Sequence, residues 1–105
     1  MFHNILGKLK EIFMLRSTIQ NFSDGSKLHI LHRYALRYEK ETHSLDIGFE
    51  MALESGVDRI IHSKSIYKWN FPHEAELLSL AEQKDILEKI KFYCESRNLA
   101  FRIEE

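Results

Sequence analysis

The sequence predicts an α+β fold: an antiparallel sheet of about four strands, a C-terminal helix packed on one face of that sheet, and an N-terminal helix. Two observations support this prediction. Apolar and polar side chains alternate through the middle of the chain, as in strands with one buried face, and helical spacing recurs near both ends. The predicted strands are residues 34–40, 43–51, 57–69 and 99–104, and the predicted helices are residues 2–16 and 80–97.

Length and composition describe an ordinary globular domain. The chain has 105 residues, of which 44% are hydrophobic and 30% charged, and this fits a single domain spanning residues 1–105. The formal net charge is −1, so no overall field attracts nucleic acid or an anionic membrane. The single cysteine, Cys94, cannot form a disulfide within the chain, which suits a reducing cytosol.

The first residues lack the pattern of a secretory signal. Lys8, Lys10 and Glu11 interrupt the apolar side chains of this segment, and no apolar run approaches the ~20 residues of a membrane span. We therefore expect a cytoplasmic protein without a membrane partner.

Residues 2–16 carry apolar side chains at helical spacing, which predicts an amphipathic helix. Such a helix either packs on its own domain or binds a membrane surface or a partner. Residues 17–27 are a connector that contains turn chemistry at residues 23–26. Helix and connector together, residues 1–26, are a candidate N-terminal extension. Residues 28–33 are ambiguous between a short helix and a strand.

The clearest strand pattern lies in the middle of the chain. Tyr34, Leu36 and Tyr38 alternate with small or charged residues, and a polar turn follows at residues 40–43. A second alternation then places on one face Leu45, Ile47, Phe49 and Met51. Two alternating runs with a short polar break predict an antiparallel hairpin with one face buried and one in water.

The third predicted strand, residues 57–69, alternates less cleanly. A bulge or bend at residues 63–65 would let it change the face that it buries. Trp69 closes this strand with its ring over the edge of the core, and Pro72 cannot continue a ladder of hydrogen bonds. The strand is therefore expected to stop by about Asn70.

The start of the C-terminal helix has a recognisable cap. Ser79 and Glu82 have the spacing of a capping box, in which each side chain accepts a hydrogen bond from the backbone N–H of the other residue. The apolar face of the helix consists of Ile86, Leu87, Ile90, Tyr93 and Cys94. Asn98 tolerates the left-handed position that ends a helix, and the last strand then returns to the sheet.

No group of residues is spaced for catalysis or for a metal. Of the six histidines, only His29 and His32 are close in sequence, whereas a structural zinc site usually shows two close pairs of ligands. An acid–base pair would need His43, His62 or His73 to converge with a lysine in three dimensions. A Gly-rich phosphate loop and a nucleophile elbow are both absent from the sequence. We therefore expect no catalytic residues, no metal and no cofactor.

Two stretches are candidates for binding. Tyr67, Lys68 and Trp69 bring basic and aromatic side chains together, as a small nucleic-acid-binding or regulatory module requires. The acidic run that follows is either a solvated helix start, where the helix dipole favours acids, or a docking surface for a basic partner. Its members are Glu74, Glu76, Glu82, Asp85 and Glu88.

Taken together, the order of elements resembles a small family of bacterial immunity proteins from polymorphic-toxin and contact-dependent growth inhibition systems. Members carry a strand that ends Ile-x-x-Trp-x-x-Pro, then an acidic loop, a capped helix and a strand. The matching residues are Ile66, Trp69, Pro72, Glu74, Ser79, Ile86, Leu87 and Ile90. The resemblance covers roughly residues 34–104.

This resemblance implies a non-enzymatic protein that binds and neutralises one cognate toxin. Many such toxins are nucleases with basic substrate sites, so the acidic run, Glu74 to Glu88, is the predicted partner-binding surface. Trp69, Pro72 and Ser79 are predicted to determine the fold rather than to contact the toxin. No nucleic acid is expected as a partner.

Overall fold

A six-stranded mixed sheet covered by one helix is the architecture of residues 19–105, the part of the chain that the computed structural model describes. The predicted helix over residues 2–16 lies outside the described residues. The strands are β1 (Ile19–Asn21), β2 (Lys27–His32), β3 (Ala35–Lys40), β4 (His43–Met51), β5 (Arg59–His62) and β6 (Phe101–Glu104). The helix is α1 (Leu80–Ser96).

The sheet follows the order of the sequence, β1-β2-β3-β4-β5-β6. Contrary to the prediction, it is not wholly antiparallel. Neighbouring strands from β1 to β5 are antiparallel, and β5 pairs with β6 in parallel. The physical reason is the connection between them. A parallel pair needs a long crossover, usually helical, and α1 supplies it between β5 and β6.

The predicted hairpin is present as β3 and β4, which are joined across Glu41 and Thr42. Leu45, Ile47 and Phe49 are buried as their alternation indicates. Met51 is exposed, contrary to the prediction, because it lies at the end of β4, beyond the core face. Tyr34 is also exposed, since it lies in the turn before β3.

The prediction of four strands was wrong, because the two strands β1 and β2 lie in the stretch that was treated as connector or left open. Residues 28–33 belong mostly to β2, where Leu28 is buried and Ile30 is partly buried. Antiparallel pairing with β3 selects the strand conformation over the short helix. The turn predicted at residues 23–26 joins β1 to β2, with Gly25 at a φ of 87° that favours glycine.

The third predicted strand was far too long. β5 covers only Arg59–His62, and a short 3-10 helix at Ser63–Ser65 ends it. The Ser65 hydroxyl donates to the carbonyl of His62 at 2.6 Å and so competes with ladder formation at this position. Residues 66–79 then form an irregular loop up to α1, with a cis peptide bond between Phe71 and Pro72.

α1 begins at the predicted capping box. The Ser79 hydroxyl accepts from the Glu82 N–H at 3.1 Å, and the Glu82 carboxylate accepts from the Ser79 N–H at 3.1 Å. The helix packs its buried side chains, Ile86, Ile90, Tyr93 and Cys94, into one core with the inward face of the sheet. Leu87, predicted on the same face, is only partly buried, and Asn98 adopts the left-handed conformation expected past the helix end, at a φ of 55°.

Candidate functional site

The 3-10 helix and the loop that follows it, together residues 63–79, are held against the half of β4 that β5 does not reach. β5 pairs only with the second half of β4, from Gly48 to Met51. On the first half, the Asn70 N–H donates to the Ser44 carbonyl at 2.8 Å, and where the two halves meet the Ser65 hydroxyl accepts from the Gly48 N–H at 3.0 Å. The loop therefore takes the place of a strand, and its outer side chains are presented from a fixed backbone.

Trp69 anchors this loop in the core. Its ring is only 8% exposed, stacks with Tyr38 at a centroid distance of 6.2 Å, and meets the ring of His43 edge-on at 5.0 Å. Of the predicted nucleic-acid motif, only Tyr67 and Lys68 are exposed. A nucleic-acid base cannot stack on the indole of Trp69, because that ring is buried. The Lys68 ammonium lies over the Tyr67 ring, 5.6 Å from its centroid.

The structure divides the predicted acidic surface into two parts. Glu74 and Glu76 lie in the loop, and Glu76 shares a shallow cavity of about 290 Å³ with Glu82. Asp85 and Glu88 lie further along α1, where Lys89 and Lys91 pair with them at 2.9 and 3.2 Å. Within the predicted acidic surface, the carboxylates that lack a lysine partner among the described residues are therefore those of the loop and of the first turn of α1.

The same loop exposes large apolar side chains, which sequence reasoning did not identify. Phe71 is 84% exposed, Leu77 is 73% exposed and Leu80 is 83% exposed. Leu80 and the half-exposed Tyr67 line a second open cavity, of about 460 Å³. One signal was present in the sequence: adjacent leucines in extended backbone point in opposite directions, so burial of Leu78 leaves Leu77 outside.

Two histidines that are distant in sequence meet beside Glu76. The rings of His43 and His73 stack with their centroids 3.7 Å apart. The Glu76 Oε2 atom lies 3.0 Å from His43 Nε2 and 2.7 Å from His73 Nδ1. Hydrogen bonds from both imidazoles hold the pKa of Glu76 below its ordinary value. The sequence spacing of 30 residues gave no indication of this cluster.

The outward face of the sheet is lined with paired charges. Arg37 contacts Asp46 through two hydrogen bonds of 2.7 and 3.1 Å, which lower the pKa of Asp46. Glu39 accepts from both Lys27 and His29. These pairs join residues on neighbouring strands, so they stabilise the strand register.

Cys94 is not a nucleophile in this fold. Its thiol is fully buried against the sheet, and burial raises its pKa to about 11. Because the thiolate is the reactive form, a thiol with this pKa is inert at neutral pH.

No helix in the part of the chain that the structure describes is long and apolar enough to cross a membrane.

Comparisons with known proteins identify the class of the protein. No curated protein and no solved structure matches the chain significantly. A family model described as Immunity protein 74 matches residues 27–104, from the start of β2 to the end of β6. This match confirms the resemblance to immunity proteins that the motif around Trp69 and Pro72 indicated. The chain therefore belongs to the Immunity protein 74 family, a family of immunity proteins of polymorphic toxin systems.

Proposed function

We propose that this protein binds its cognate toxin in the cytosol and neutralises it by covering the active site or blocking substrate entry. The toxin is a nuclease in this proposal, and the immunity protein performs no catalysis of its own. Family membership supports a toxin as the partner. The single cysteine, which has no disulfide partner in the chain, supports a cytosolic setting.

The observation that carries the proposal is the loop surface, which we define as the exposed side chains of residues 67–82. Its apolar members are Tyr67, Phe71, Leu77 and Leu80, and its acidic members are Glu74, Glu76 and Glu82. Exposed apolar side chains with a polar surround are typical of protein interaction sites. Because the loop is anchored by buried Trp69 and Leu78, binding costs little ordering of the backbone.

The charge of the loop surface suits a nuclease. A nuclease binds a polyanion and therefore presents basic side chains around its active site, and acidic side chains on an inhibitor steer the two proteins together. Asp85 and Glu88, whose charges are compensated by lysines on α1, would lie at the rim and contribute less. We therefore expect the loop acids to dominate the association rate.

The experiment measures association with the toxin encoded next to the immunity gene, using the purified proteins. The charge-reversal variant E74K/E76K is expected to slow association by tenfold or more. This reduction in the association rate should be larger at low salt, where charges are less screened. E95K is the control for charge, since Glu95 is exposed at the other end of α1. The double control E54K/E95K matches the change in net charge.

Apolar anchors are tested separately through dissociation. L77A and L80A are expected to speed dissociation by tenfold or more each if they fill pockets on the toxin, since such anchors contribute about 2 kcal/mol. L53A is the matched control, because Leu53 is fully exposed in the β4–β5 turn, outside the loop surface. Unchanged kinetics in all loop variants would remove the loop surface from the interface. Failure to bind the neighbouring toxin at all would overturn the proposed function.

A further inference from the structure

We propose that His43, His73 and Glu76 form a binding site for a divalent transition metal ion, with Zn²⁺ as the best-fitting ion. The proposal rests on the geometry of these three side chains and does not depend on the toxin-binding function. Within residues 19–105, they bring three potential metal-binding atoms within 4.8 Å of one another.

The distances are close to those of a tetrahedral site. Zinc bonds of about 2.0–2.1 Å at tetrahedral angles separate two ligand atoms by about 3.4 Å. Glu76 Oε2 lies 3.0 Å from His43 Nε2 and 2.7 Å from His73 Nδ1. An ion would require shifts of less than about 1 Å in these two separations and a turn of the stacked rings, whose planes lie 17° apart, so that both lone pairs point at it.

The fold positions each ligand. His43 is the first residue of β4, its ring packs against buried Trp69, and its Nδ1 atom lies 3.4 Å from the Thr42 hydroxyl. Donation from Nδ1–H to this hydroxyl would place the lone pair on Nε2, where a metal would replace the hydrogen bond to Glu76. His73 and Glu76 come from one turn of the loop, in which the Glu76 N–H donates to the His73 carbonyl at 2.9 Å.

The donor set and the surrounding charge favour a metal cation. Two imidazole nitrogens and one carboxylate are a common set of three protein ligands for zinc, with a fourth position for water. The two rings stack with their centroids 3.7 Å apart, and metal binding requires both rings neutral. The shallow cavity beside the cluster is lined by Glu41, Glu76 and Glu82 and by the single cation Lys40, so its formal charge is negative.

The test uses the full chain without an affinity tag, freed of metal with a chelator and then dialysed. Isothermal titration with Zn²⁺ is expected to show one equivalent bound. Co²⁺ in the same site is expected to give the visible absorption of a four-coordinate ion. H43A, H73A and E76Q are each expected to weaken zinc binding by at least about tenfold, since each removes a direct ligand.

H62A is the matched control. His62 forms one contact of 3.0 Å with Glu50 on the sheet, without a second histidine, and its loss should leave zinc affinity unchanged. The E76Q change keeps the test valid if a histidine variant fails to fold, because the Glu76 side chain is 58% exposed. Circular dichroism of each variant checks folding.

Absence of stoichiometric zinc binding to the unmodified chain would overturn the proposal, as would equal binding by E76Q and the unmodified chain. An equal loss of affinity in H62A would also overturn it, since binding would then be nonspecific to surface histidines. The toxin is absent from these measurements, so a negative result leaves the proposed function untouched.

Discussion

The strongest test of the packing between helix and sheet is the substitution Lys89→Met. Lys89 projects from α1 toward the β1–β2 turn and β3, and its side chain is only 11% exposed. Its ammonium donates to Asp24 at 2.6 Å, to Ser26 at 2.9 Å and to the hydroxyl of Tyr38 at 3.2 Å. It also pairs with Asp85 on its own helix at 2.9 Å.

The expected loss of stability follows from these contacts. A hydrogen bond to a charged group contributes about 1.5–3 kcal/mol, whereas an exposed ion pair contributes about 0–1 kcal/mol. The side chains of Asp24 and Asp85 are 36% and 57% exposed and can rehydrate, which lowers the cost. Tyr38 is buried and its hydroxyl loses the hydrogen bond from Lys89, which raises the cost of the substitution. We therefore expect K89M to lower the free energy of unfolding by about 2–3 kcal/mol, out of a total of about 5–15 kcal/mol.

The assay is urea unfolding followed by the fluorescence of Trp69, the only tryptophan, which is buried next to Tyr38. K91M is the control, because among residues 19–105 Lys91 pairs only with the exposed Glu88, and its loss should change stability by less than about 0.5 kcal/mol. A K89M variant that loses no more stability than K91M would refute the reasoning.

The pH dependence of the same variant supplies a second check. Hydrogen bonds from Lys89 and Ser26 hold the pKa of Asp24 well below its ordinary value of 3.8. A carboxyl with a lowered pKa stabilises the fold above its unfolded-state pKa, and that stability is lost as the pH falls below it. The difference in the free energy of unfolding between K89M and the unmodified chain should therefore be constant from pH 5 to 8 and shrink below about pH 3.8. A difference that grows in acid would contradict this origin.

Three further predictions test local features. Cys94, with a buried thiol of pKa about 11, should resist alkylation at pH 8 in the folded chain and react fully in urea; rapid labelling of the folded chain would contradict its burial. S79A should lower the free energy of unfolding by about 1 kcal/mol, because the Glu82 N–H loses the Ser79 hydroxyl as its acceptor; an unchanged urea midpoint would exclude this role of Ser79. G48A should destabilise by about 1–3 kcal/mol, because an added Cβ would lie 2.9 Å from the Cβ of His62. The H62A change should rescue G48A in part, since it removes the contact with the imidazole Cδ2, also 2.9 Å away, and retains the contact with Cβ; absence of any rescue would contradict this geometry.

Features that depend on neighbouring residues along the chain were predicted well. The observed bounds of β4 are those of the predicted strand, and α1 begins at the predicted residue with both hydrogen bonds of the capping box. These features come from side-chain alternation and from bonds between residues three apart. They need no knowledge of the rest of the fold.

Features that depend on pairing between elements were predicted poorly. β1 and β2 acquire their conformation from strand pairing that ends at β3, and the third predicted strand ends early where residues 63–79 take its place along β4. The candidate site shows the same division. The acidic residues were visible in the sequence, whereas the exposure of Leu77 and Leu80 followed only from the path of the loop.

The sequence by itself determined the β3–β4 hairpin, the capped helix α1 and, through the Ile66, Trp69 and Pro72 motif, the resemblance to immunity proteins. Only the tertiary structure decided that β6 runs parallel to β5 and that His43, His73 and Glu76 meet. The physical reason is range. Periodicity and capping are set by contacts within about one helical turn or one strand, whereas these arrangements require the packing of segments that lie about 30 or more residues apart.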